Sequence, residues 1–487
     1  MKAKDTKLVQ TLNQCVAAHV VPYSSVLLAF SGGLDSTVLL DALATISNSN
    51  HEKNVKNALP LRAMHINHGL NGKAEQWVAH CAHECHVRTI PFITENVVLN
   101  TRSQGIEAAA RSARYFSLAA ALKKDEVLLT AQHQDDQAET LLLALKRGSG
   151  PTGLAAMASD TPFGKHRLVR PLLTYSRLEL ETYARERGLC WIEDDSNTDI
   201  RFDRNFLRLQ ILPLLLDRWP RFSASVTRSA RLCAEQERLL DELLSATLNK
   251  LTNPDGSLCW LPLTTMSQIK RAALLRRWLA SYAVKMPSQQ QLTHLWEQVA
   301  LSRQDAIAKM KLENQQIRRF RDRLYIVPCS PALHDKNTVF LWPAEKDHLI
   351  LPSGLGIVRR CQIDIASLAK KKLLIASITG NNIPQDEING TRVMPRTIVR
   401  APLPEEEVSI RFGSVQGLVY ITTRQRGRKL KKIWQELGIP PWRRSSTALL
   451  FYHDHLIAAL GVFVTKEGAA REPYEQWHVF LEPDKYH

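Results

Sequence analysis

Apolar runs of four to six residues alternate with longer segments of helical spacing over the first 216 residues. Val26–Phe30, Leu61–Ile66 and Val127–Thr130 resemble strands, and a polar turn and a helical pattern follow each of them. This alternation is typical of a parallel, doubly wound α/β sheet. Because ligands bind at the carboxyl ends of the strands in such sheets, we expect the polar turns to meet at one edge.

The pattern changes after residue 216. Amphipathic helices are predicted over Val226–Leu248 and Met266–Ala283, and a strand over Ile317–Val327. From about residue 341 the chain consists of short β-like runs separated by Pro and Gly, with one helical segment near residues 428–437. We therefore predict an α/β domain over 1–216, a small helical domain over 217–340 and an α+β domain over 341–487.

Composition narrows the class of protein. A chain of 487 residues is long for one core, and its 44% apolar and 23% charged residues are ordinary for a globular protein. We find neither a signal-type apolar segment near the start nor a run long enough to span a bilayer. Eight scattered cysteines indicate reduced thiols, and the ligands between His80 and His86 split over two helix faces, which argues against zinc. We expect a cytoplasmic protein without a membrane partner.

Positive charge is concentrated in the second part of the chain. The net charge is +16, but residues 1–200 contain 21 basic and 21 acidic residues, so the surplus lies beyond them. Eight of these cations fall within one short segment: Arg424, Arg426, Arg428, Lys429, Lys431, Lys432, Arg443 and Arg444. Interleaved Trp434 and Trp442 suit base stacking beside phosphate contacts. A solvated charged face is the alternative, but the charge asymmetry favours RNA binding.

One hexapeptide between a strand-like and a helix-like run predicts a nucleotide site. It consists of Ser31, Gly32, Gly33, Leu34, Asp35 and Ser36. Such a turn gathers backbone N–H groups and the positive end of a helix dipole around a phosphate. The Walker A and dinucleotide-binding patterns are both missing. An acid within a phosphate loop requires a cation to offset repulsion, so we interpret Asp35 as a catalytic carboxylate linked to Mg²⁺.

Two further clusters carry charge at helical spacing. Asp136 and Glu139 share a helix face after the third strand, where they can coordinate Mg²⁺ or bind an ammonium group. The alternative is an acidic first turn that satisfies the helix dipole. Arg111 and Arg114 lie three residues apart and can stabilise charge on a phosphate. A solvated basic face explains them equally well at this stage.

Taken together, these motifs resemble the bacterial tRNA(Ile)-lysidine synthetase family of PP-loop ATP pyrophosphatases over nearly the whole chain. The matching segments are Ser31–Ser36, His65–Gly69, Ala110–Tyr115, His133–Thr140, Arg147–Leu154, Arg170–Leu173, Asp195–Asn197, Arg204–Asn205, Leu437–Arg443 and Leu449–Tyr452. The chain departs from the family pattern at Asn67, where an acid is common, and in the C-terminal part at Thr447-Ala448 and Ala459-Leu460-Gly461, where Thr-Pro and Pro-Gly are expected.

The resemblance implies a specific two-step reaction. ATP adenylates C2 of the wobble cytidine in a tRNA(Ile) with a CAU anticodon, and free L-lysine then displaces AMP, so that the tRNA reads AUA instead of AUG. On this interpretation the hexapeptide holds ATP with Mg²⁺ at Asp35, and Arg111 and Arg114 assist catalysis. Asp136 and Glu139 are candidate lysine partners, and the eight cations of 424–444 bind tRNA. No DNA partner is expected.

Two other functions compete with this interpretation. A related tRNA thiolase needs reactive cysteines, usually as a C-x-x-C pair, and the chain has no such pair. An RNA-binding protein whose nucleotide loop only regulates binding belongs to a different class. A tRNA-stimulated exchange of pyrophosphate into ATP distinguishes it, because a binding protein gives no exchange.

Overall fold

The protein is described by a computed structural model. The described residues are 6–52, 59–69, 73–97, 106–193, 198–282, 284, 286–303, 306, 308–329, 338–343, 345–351, 355–362, 397–470 and 476–482. They form two compact units, Met1–Thr247 and Leu248–His487. The predicted domain limits at 216 and 340 differ from this division and stay predictions. No helix within the described ranges has the length and apolar character needed to cross a membrane.

The first unit is built on one sheet with helices connecting its strands. Its elements are α1 (Lys7–Val20), β1 (Ser25–Ala29), α2 (Leu34–Glu52), β2 (Leu61–Asn67), α3 (Ala74–Val87), β3 (Phe92–Asn96), α4 (Ile106–Ala121), β4 (Glu126–Leu129), α5 (Gln134–Lys146), α6 (Pro151–Leu154), β5 (Asp160–Phe163), β6 (His166–Val169), α7 (Arg177–Glu186), α8 (Asp203–Phe206), a π-helical turn (Leu207–Ile211), α9 (Leu212–Arg218) and α10 (Phe222–Leu251), in which the division falls.

The strand order of this sheet is β3-β2-β1-β4-β6-β5. All neighbours pair in parallel except β5 and β6, which form an antiparallel hairpin at the edge. Val26, Leu27 and Leu28 in β1 are fully buried, as expected for a central strand covered on both faces. The predicted α/β class is confirmed, and the order reverses between β1 and β4. Ligands bind at such a reversal in open parallel sheets.

In the described part of the second unit there are three antiparallel sheets. Its elements are β7 (Leu258–Cys259), a 3₁₀ turn (Leu261–Thr265), α11 (Gln268–Ala280), α12 (Gln289–His294), a π-helical turn (Leu295–Ala300), β8 (Lys309–Leu312), β9 (Gln315–Phe320), β10 (Arg323–Pro328), β11 (Val339–Leu341), β12 (His348–Leu351), β13 (Gly356–Gln362), β14 (Thr397–Arg400), β15 (Val408–Arg411), α13 (Leu430–Glu436), α14 (Pro441–Arg444), β16 (Leu449–Tyr452), β17 (His455–Ala459), β18 (Phe463–Val464) and β19 (Gln476–Glu482). The strand orders are β7-β10-β9-β8, β11-β15-β16-β17-β18 and β12-β13-β19-β14.

Two sequence predictions for this unit have different outcomes. Helices are confirmed in the predicted segments near 266–283 and 428–437, as α11 and α13. The single strand over Ile317–Val327 is wrong, because the segment forms the hairpin of β9 and β10. Its turn passes through Arg321, whose φ of 56° is left-handed. A turn of this kind usually carries Gly or Asn, so the residue types of this segment do not indicate a turn.

Candidate active site

The phosphate loop lies between β1 and α2, at the reversal of strand order. Gly32 has a φ of 79°, and a Cβ atom there would lie 2.7 Å from the Cys81 sulfur, so both conformation and space require glycine. The Ser36 hydroxyl donates to the Gly33 carbonyl at 3.0 Å and lies 3.0 Å from the Ser31 hydroxyl. Since α2 begins at Leu34, the positive end of its dipole lies at this loop.

A cavity of about 220 Å³ opens beside the loop at the carboxyl ends of the central strands. Its walls include Ser31, Gly33, Asp35, Ser36, Arg114 and Asp136. The structure therefore brings together the phosphate loop, one of the two predicted arginines and one of the two predicted lysine partners. Gly32, Leu34, Arg111 and Glu139 do not line this cavity.

Asp35 carries an unpaired oxygen at the start of α2. Its Oδ2 atom lies 3.6 Å from His133 Nε2 and 3.6 Å from Arg177 Nη1. Its Oδ1 atom is buried and has no hydrogen-bond partner among the described residues. Burial raises the pKa of Asp35, and the charges of His133 and Arg177 oppose that rise. A buried carboxylate oxygen that lacks a partner fits a cation bound together with phosphate.

The N-terminus of α5 places a second carboxylate next to Asp35. His133 precedes the helix, and its Nδ1 atom accepts a hydrogen bond from the Asp135 N–H at 3.2 Å. Asp136 reaches back and accepts from the His133 N–H at 3.0 Å. This reciprocal cap satisfies helix N–H groups, so the acidic first turn does stabilise the helix, as the alternative interpretation held. It also fixes Asp136 in the cavity wall.

Arg208 connects the two carboxylates that the sequence assigned to lysine. Its Nη2 atom donates to Asp136 Oδ1 at 3.0 Å, and its Nε atom donates to Glu139 Oε1 at 2.7 Å. Glu139 is fully buried, and its Oε2 atom has no partner among the described residues. Burial raises the pKa of Glu139, Asp136 raises it further, and Arg208 opposes the rise. The sequence pattern does not indicate the contact between Arg208 and Glu139, because the two residues lie 69 positions apart in the chain.

The two predicted catalytic arginines have different surroundings on α4. Arg114 lines the cavity, and its Nη2 atom lies 3.3 Å from His68 Nε2. Arg111 is exposed one turn away, with its guanidinium carbon 5.1 Å from the centre of the Tyr115 ring. Arg114 is therefore the arginine that the structure places in the cavity wall.

The donor set of this site suits a metal held jointly by protein and substrate. Within the described ranges no group of three or more His, Cys, Asp and Glu side chains can hold a metal ion. Mg²⁺ commonly binds through one or two carboxylates together with substrate phosphates and water, and the unpartnered Oδ1 atom of Asp35 fits that chemistry. The motif Asp195–Asn197 lies outside the described residues.

The basic segment 424–444 contains cations that pair with Glu436 and cations that are exposed, and Arg428 is both. Arg424 Nη1 and Arg428 Nη1 lie 2.5 and 3.1 Å from the carboxylate of Glu436. The exposed cations are Arg426, Arg428, Lys429, Lys431, Lys432 and Arg443. Arg444 is half-buried and donates from Nε to the Ile439 carbonyl at 2.9 Å, and burial lowers its pKa. The exposed members keep the prediction of a polyanion surface open.

The two tryptophans of this segment do not share one role. Trp434 is 3% exposed and packs against Phe463, with ring centres 5.5 Å apart. Its predicted role in base stacking is wrong, because the ring belongs to the core. Trp442 is partly exposed and meets Tyr325 edge to face, with ring centres 5.4 Å apart. The guanidinium of Arg318 lies 5.4 Å from the centre of the Trp442 ring.

Comparisons with known proteins agree with the order of these regions. Family models match as a PP-loop domain over residues 4–215, a TilS substrate binding domain over 258–325 and a TilS substrate C-terminal domain over 408–481. The chain is 48% identical over 478 residues to a tRNA(Ile)-lysidine synthase of Pectobacterium atrosepticum, covering 98% of each protein. It is 47% identical over 468 residues to one of Serratia proteamaculans, covering 96% of this chain and 98% of that protein.

Proposed function

The chain belongs to the tRNA(Ile)-lysidine synthase family, and we propose that it joins free L-lysine to C2 of the wobble cytidine in a tRNA(Ile) with a CAU anticodon. The enzyme is a ligase that uses ATP through its PP-loop domain. In the proposed first step the cytidine O2 attacks the α-phosphate and pyrophosphate leaves. In the second step the lysine ε-ammonium loses a proton and the resulting amine attacks C2. A C–N bond forms, the C2–O2 bond breaks, AMP leaves with O2, and the nitrogen releases a second proton to solvent.

The observation that carries the proposal is the unpartnered Oδ1 atom of Asp35 beside the phosphate loop. Asp35 and Asp136 both face the cavity, and two carboxylates repel a triphosphate unless a cation lies between them. Asp35 would hold Mg²⁺ at that place. When bound, the ion supplies charge that offsets the negative phosphates. The Gly-rich turn and the start of α2 orient the phosphates without needing to reorganise.

Arg114 supports catalysis from the wall of the cavity. A guanidinium stabilises the negative charge that develops on the α-phosphate and on the departing pyrophosphate. Arg111 stays part of the proposal as an exposed cation one helical turn away, where it can contact a phosphate of the bound substrate. The loss of Arg114 is therefore expected to reduce the rate more than the loss of Arg111.

Asp136 and Glu139 are proposed to receive the ammonium group of lysine. The carboxylates of Asp35, Asp136 and Glu139 all interact with the positive charge of Arg208, and one oxygen of Asp35 and one of Glu139 have no hydrogen-bond partner among the described residues. The unpartnered Glu139 Oε2 atom is a hydrogen-bond acceptor that a cationic substrate can satisfy. A buried carboxylate acceptor favours lysine over amino acids whose side chains carry no positive charge.

The basic segment 424–444 is proposed to hold the tRNA while the cavity performs the chemistry. Its exposed cations suit phosphate contacts, each of which releases counterions from the nucleic acid. The segment lies in the region that the TilS substrate C-terminal domain model covers. Its contribution is affinity, since phosphate contacts alone do not read sequence.

The test is to incubate the protein with ATP, isotopically labelled lysine and total tRNA, and to identify the modified nucleoside by mass spectrometry. We expect one lysine on cytidine of the CAU-anticodon tRNA(Ile), dependent on ATP. The elongator tRNA(Met), which has the same anticodon, is the matched control and stays unmodified. A product containing sulfur, or ATP-dependent labelling of another nucleoside, would contradict the proposal.

A further inference from the structure

The His65–Gly69 motif, which has no role in the proposed reaction, ends at the same edge of the sheet as the phosphate loop. His65 is buried in β2, and its Nδ1–H group donates to the Phe30 carbonyl at 3.0 Å. Beyond the strand, the Gly69 N–H donates to Asn67 Oδ1 at 2.9 Å, and the φ of Gly69 is 64°. This tight turn fixes the backbone of His68 next to α4.

The contact between His68 and Arg114 defines the protonation state of the imidazole. Arginine has donors and no acceptor, so His68 Nε2, 3.3 Å from Arg114 Nη2, must accept and therefore carries no proton. Burial, with the nearby charges of Arg114 and His65, lowers the pKa of His68 to about 4. The ring is therefore neutral at pH 7, with its proton on Nδ1. That Nδ1 atom is buried and has no partner among the described residues.

We propose that His68 is a positioning residue, which holds the guanidinium of Arg114 against the wall of the cavity. The inference rests on the proposed function, in which Arg114 stabilises charge on the phosphates. Arg114 is exposed on α4, and a long arginine side chain has many rotamers available to it. The Nε2 acceptor of His68 selects the Arg114 rotamer that faces the cavity. The positive charge of the guanidinium is therefore in place before the reaction begins.

His68 is not the base or acid of the reaction in this arrangement. Its Nε2 lone pair is used by Arg114, and its remaining proton is on the buried Nδ1 atom. Substitutions should therefore change the rate through Arg114 and through nothing else. This distinguishes a positioning role from a direct catalytic role and from a purely structural one.

The test compares His68→Leu and His68→Gln in the natural enzyme and in an Arg114→Ala background, using tRNA-dependent exchange of pyrophosphate into ATP. We expect His68→Leu to lower kcat about tenfold to hundredfold, with the KM for ATP and the Tm unchanged. The amide of His68→Gln can replace the Nε2 acceptor and should restore most of the rate. With Arg114 absent, His68→Leu should cost nothing further. The control is His86→Leu, at an exposed histidine of α3, and it should leave kcat unchanged.

A second measurement does not depend on activity. In protein labelled with ¹⁵N-histidine, the shifts of His68 at pH 7 should show a neutral ring protonated on Nδ1, and Arg114→Ala should move the Nε2 resonance. Equal losses from His68→Leu in both backgrounds, or a ring protonated on Nε2, would overturn the inference. If the natural enzyme gives no exchange while the ¹⁵N shifts are as expected, the proposed function is wrong and the His68–Arg114 contact stands.

Discussion

The cavity and the basic segment 424–444 use charge in opposite ways. Arg208 bonds to Asp136, which lines the cavity, and to Glu139, which is fully buried and does not line it, and burial raises the pKa of Glu139. In the basic segment, Glu436 is the one acid, and it pairs with Arg424 and Arg428 while several other cations remain exposed. A reaction needs a few charges in fixed positions. Binding of a polyanion needs many charges and tolerates variation in their geometry.

The two regions should therefore respond differently to mutation and salt. Charges within a partly buried site interact more strongly than charges in water, and salt screens them little. Exposed cations lose most of their long-range interaction over a Debye length of about 8–10 Å near physiological salt. Single substitutions should have large effects in the cavity. In the basic segment effects should add up gradually and depend on ionic strength.

The largest effect is expected for Asp35→Asn, which keeps the shape of the side chain and removes its charge. We expect tRNA-dependent release of pyrophosphate to fall by about a thousandfold, since one preorganised electrostatic group supplies an effect of this size. The affinity for tRNA should be unchanged. The measurement is pyrophosphate release together with tRNA binding, and Asp217→Asn, an exposed change on α9, is the control. Retention of more than about a tenth of the activity would mean that Asp35 holds no metal.

A smaller effect is expected when Asp136 and Glu139 become Asn and Gln. The KM for lysine should rise about tenfold to hundredfold, because each hydrogen bond to a charged group is removed from a buried site. The KM for ATP should change far less. Glu235→Gln on α10, where the carboxylate is exposed and lies 3.6 Å from Arg231, is the control. If the KM for ATP rises instead, the carboxylates serve the metal and not lysine.

The basic segment should give a graded response. Changing Lys429, Lys431 and Lys432 to Gln should weaken tRNA binding and reduce its dependence on salt. The slope of log K against log salt should become smaller in magnitude by about 0.7–0.9 for each phosphate that is no longer neutralised. Changing Arg424 and Arg428 to Gln is the matched comparison. Because Glu436 already neutralises part of their charge, the slope should change less. Equal slopes for all variants would mean that the segment is a solvated face.

The smallest effect concerns the stability of the fold. Asp35→Asn, which removes activity, should make the folded protein more stable. Burial raises the pKa of Asp35 above the ordinary value of 3.8, so ionisation of this group opposes folding. The protonated Asp35 carboxyl favours the folded state. This contribution to the free energy of unfolding is fully present below pH 3.8, and it is lost as the pH rises through the higher pKa that Asp35 has in the folded protein. Asp35→Asn should therefore raise the Tm at pH 7, and the gain should shrink towards about pH 4. A lower Tm at pH 7 would show that the contacts with His133 and Arg177 outweigh the cost of burial.

Local patterns account for the parts of the molecule that the sequence predicts well. β1 and the phosphate loop are adjacent in the chain, and a buried apolar strand followed by Gly32 and Gly33 allows few other structures. The Arg208 contacts could not be predicted, since they join distant segments through the folded chain. Trp434 could have been assigned correctly, because Leu430, Ile433 and Trp434 recur at the spacing of a buried helix face.

The position of β1 in its sheet has a consequence for the synthesis of the enzyme. β1 pairs with β4 as well as with β2, and the Ser24 hydroxyl bonds to the Asp125 carbonyl 101 residues later. A nascent chain that has exposed the phosphate loop still lacks β4 and the cap of α5 that supplies Asp136. Closing so long a loop must wait for translation to proceed. Affinity for nucleotide thus arises late, and on stalled ribosomes ATP binding should mark the length at which β4 and the start of α5 have emerged.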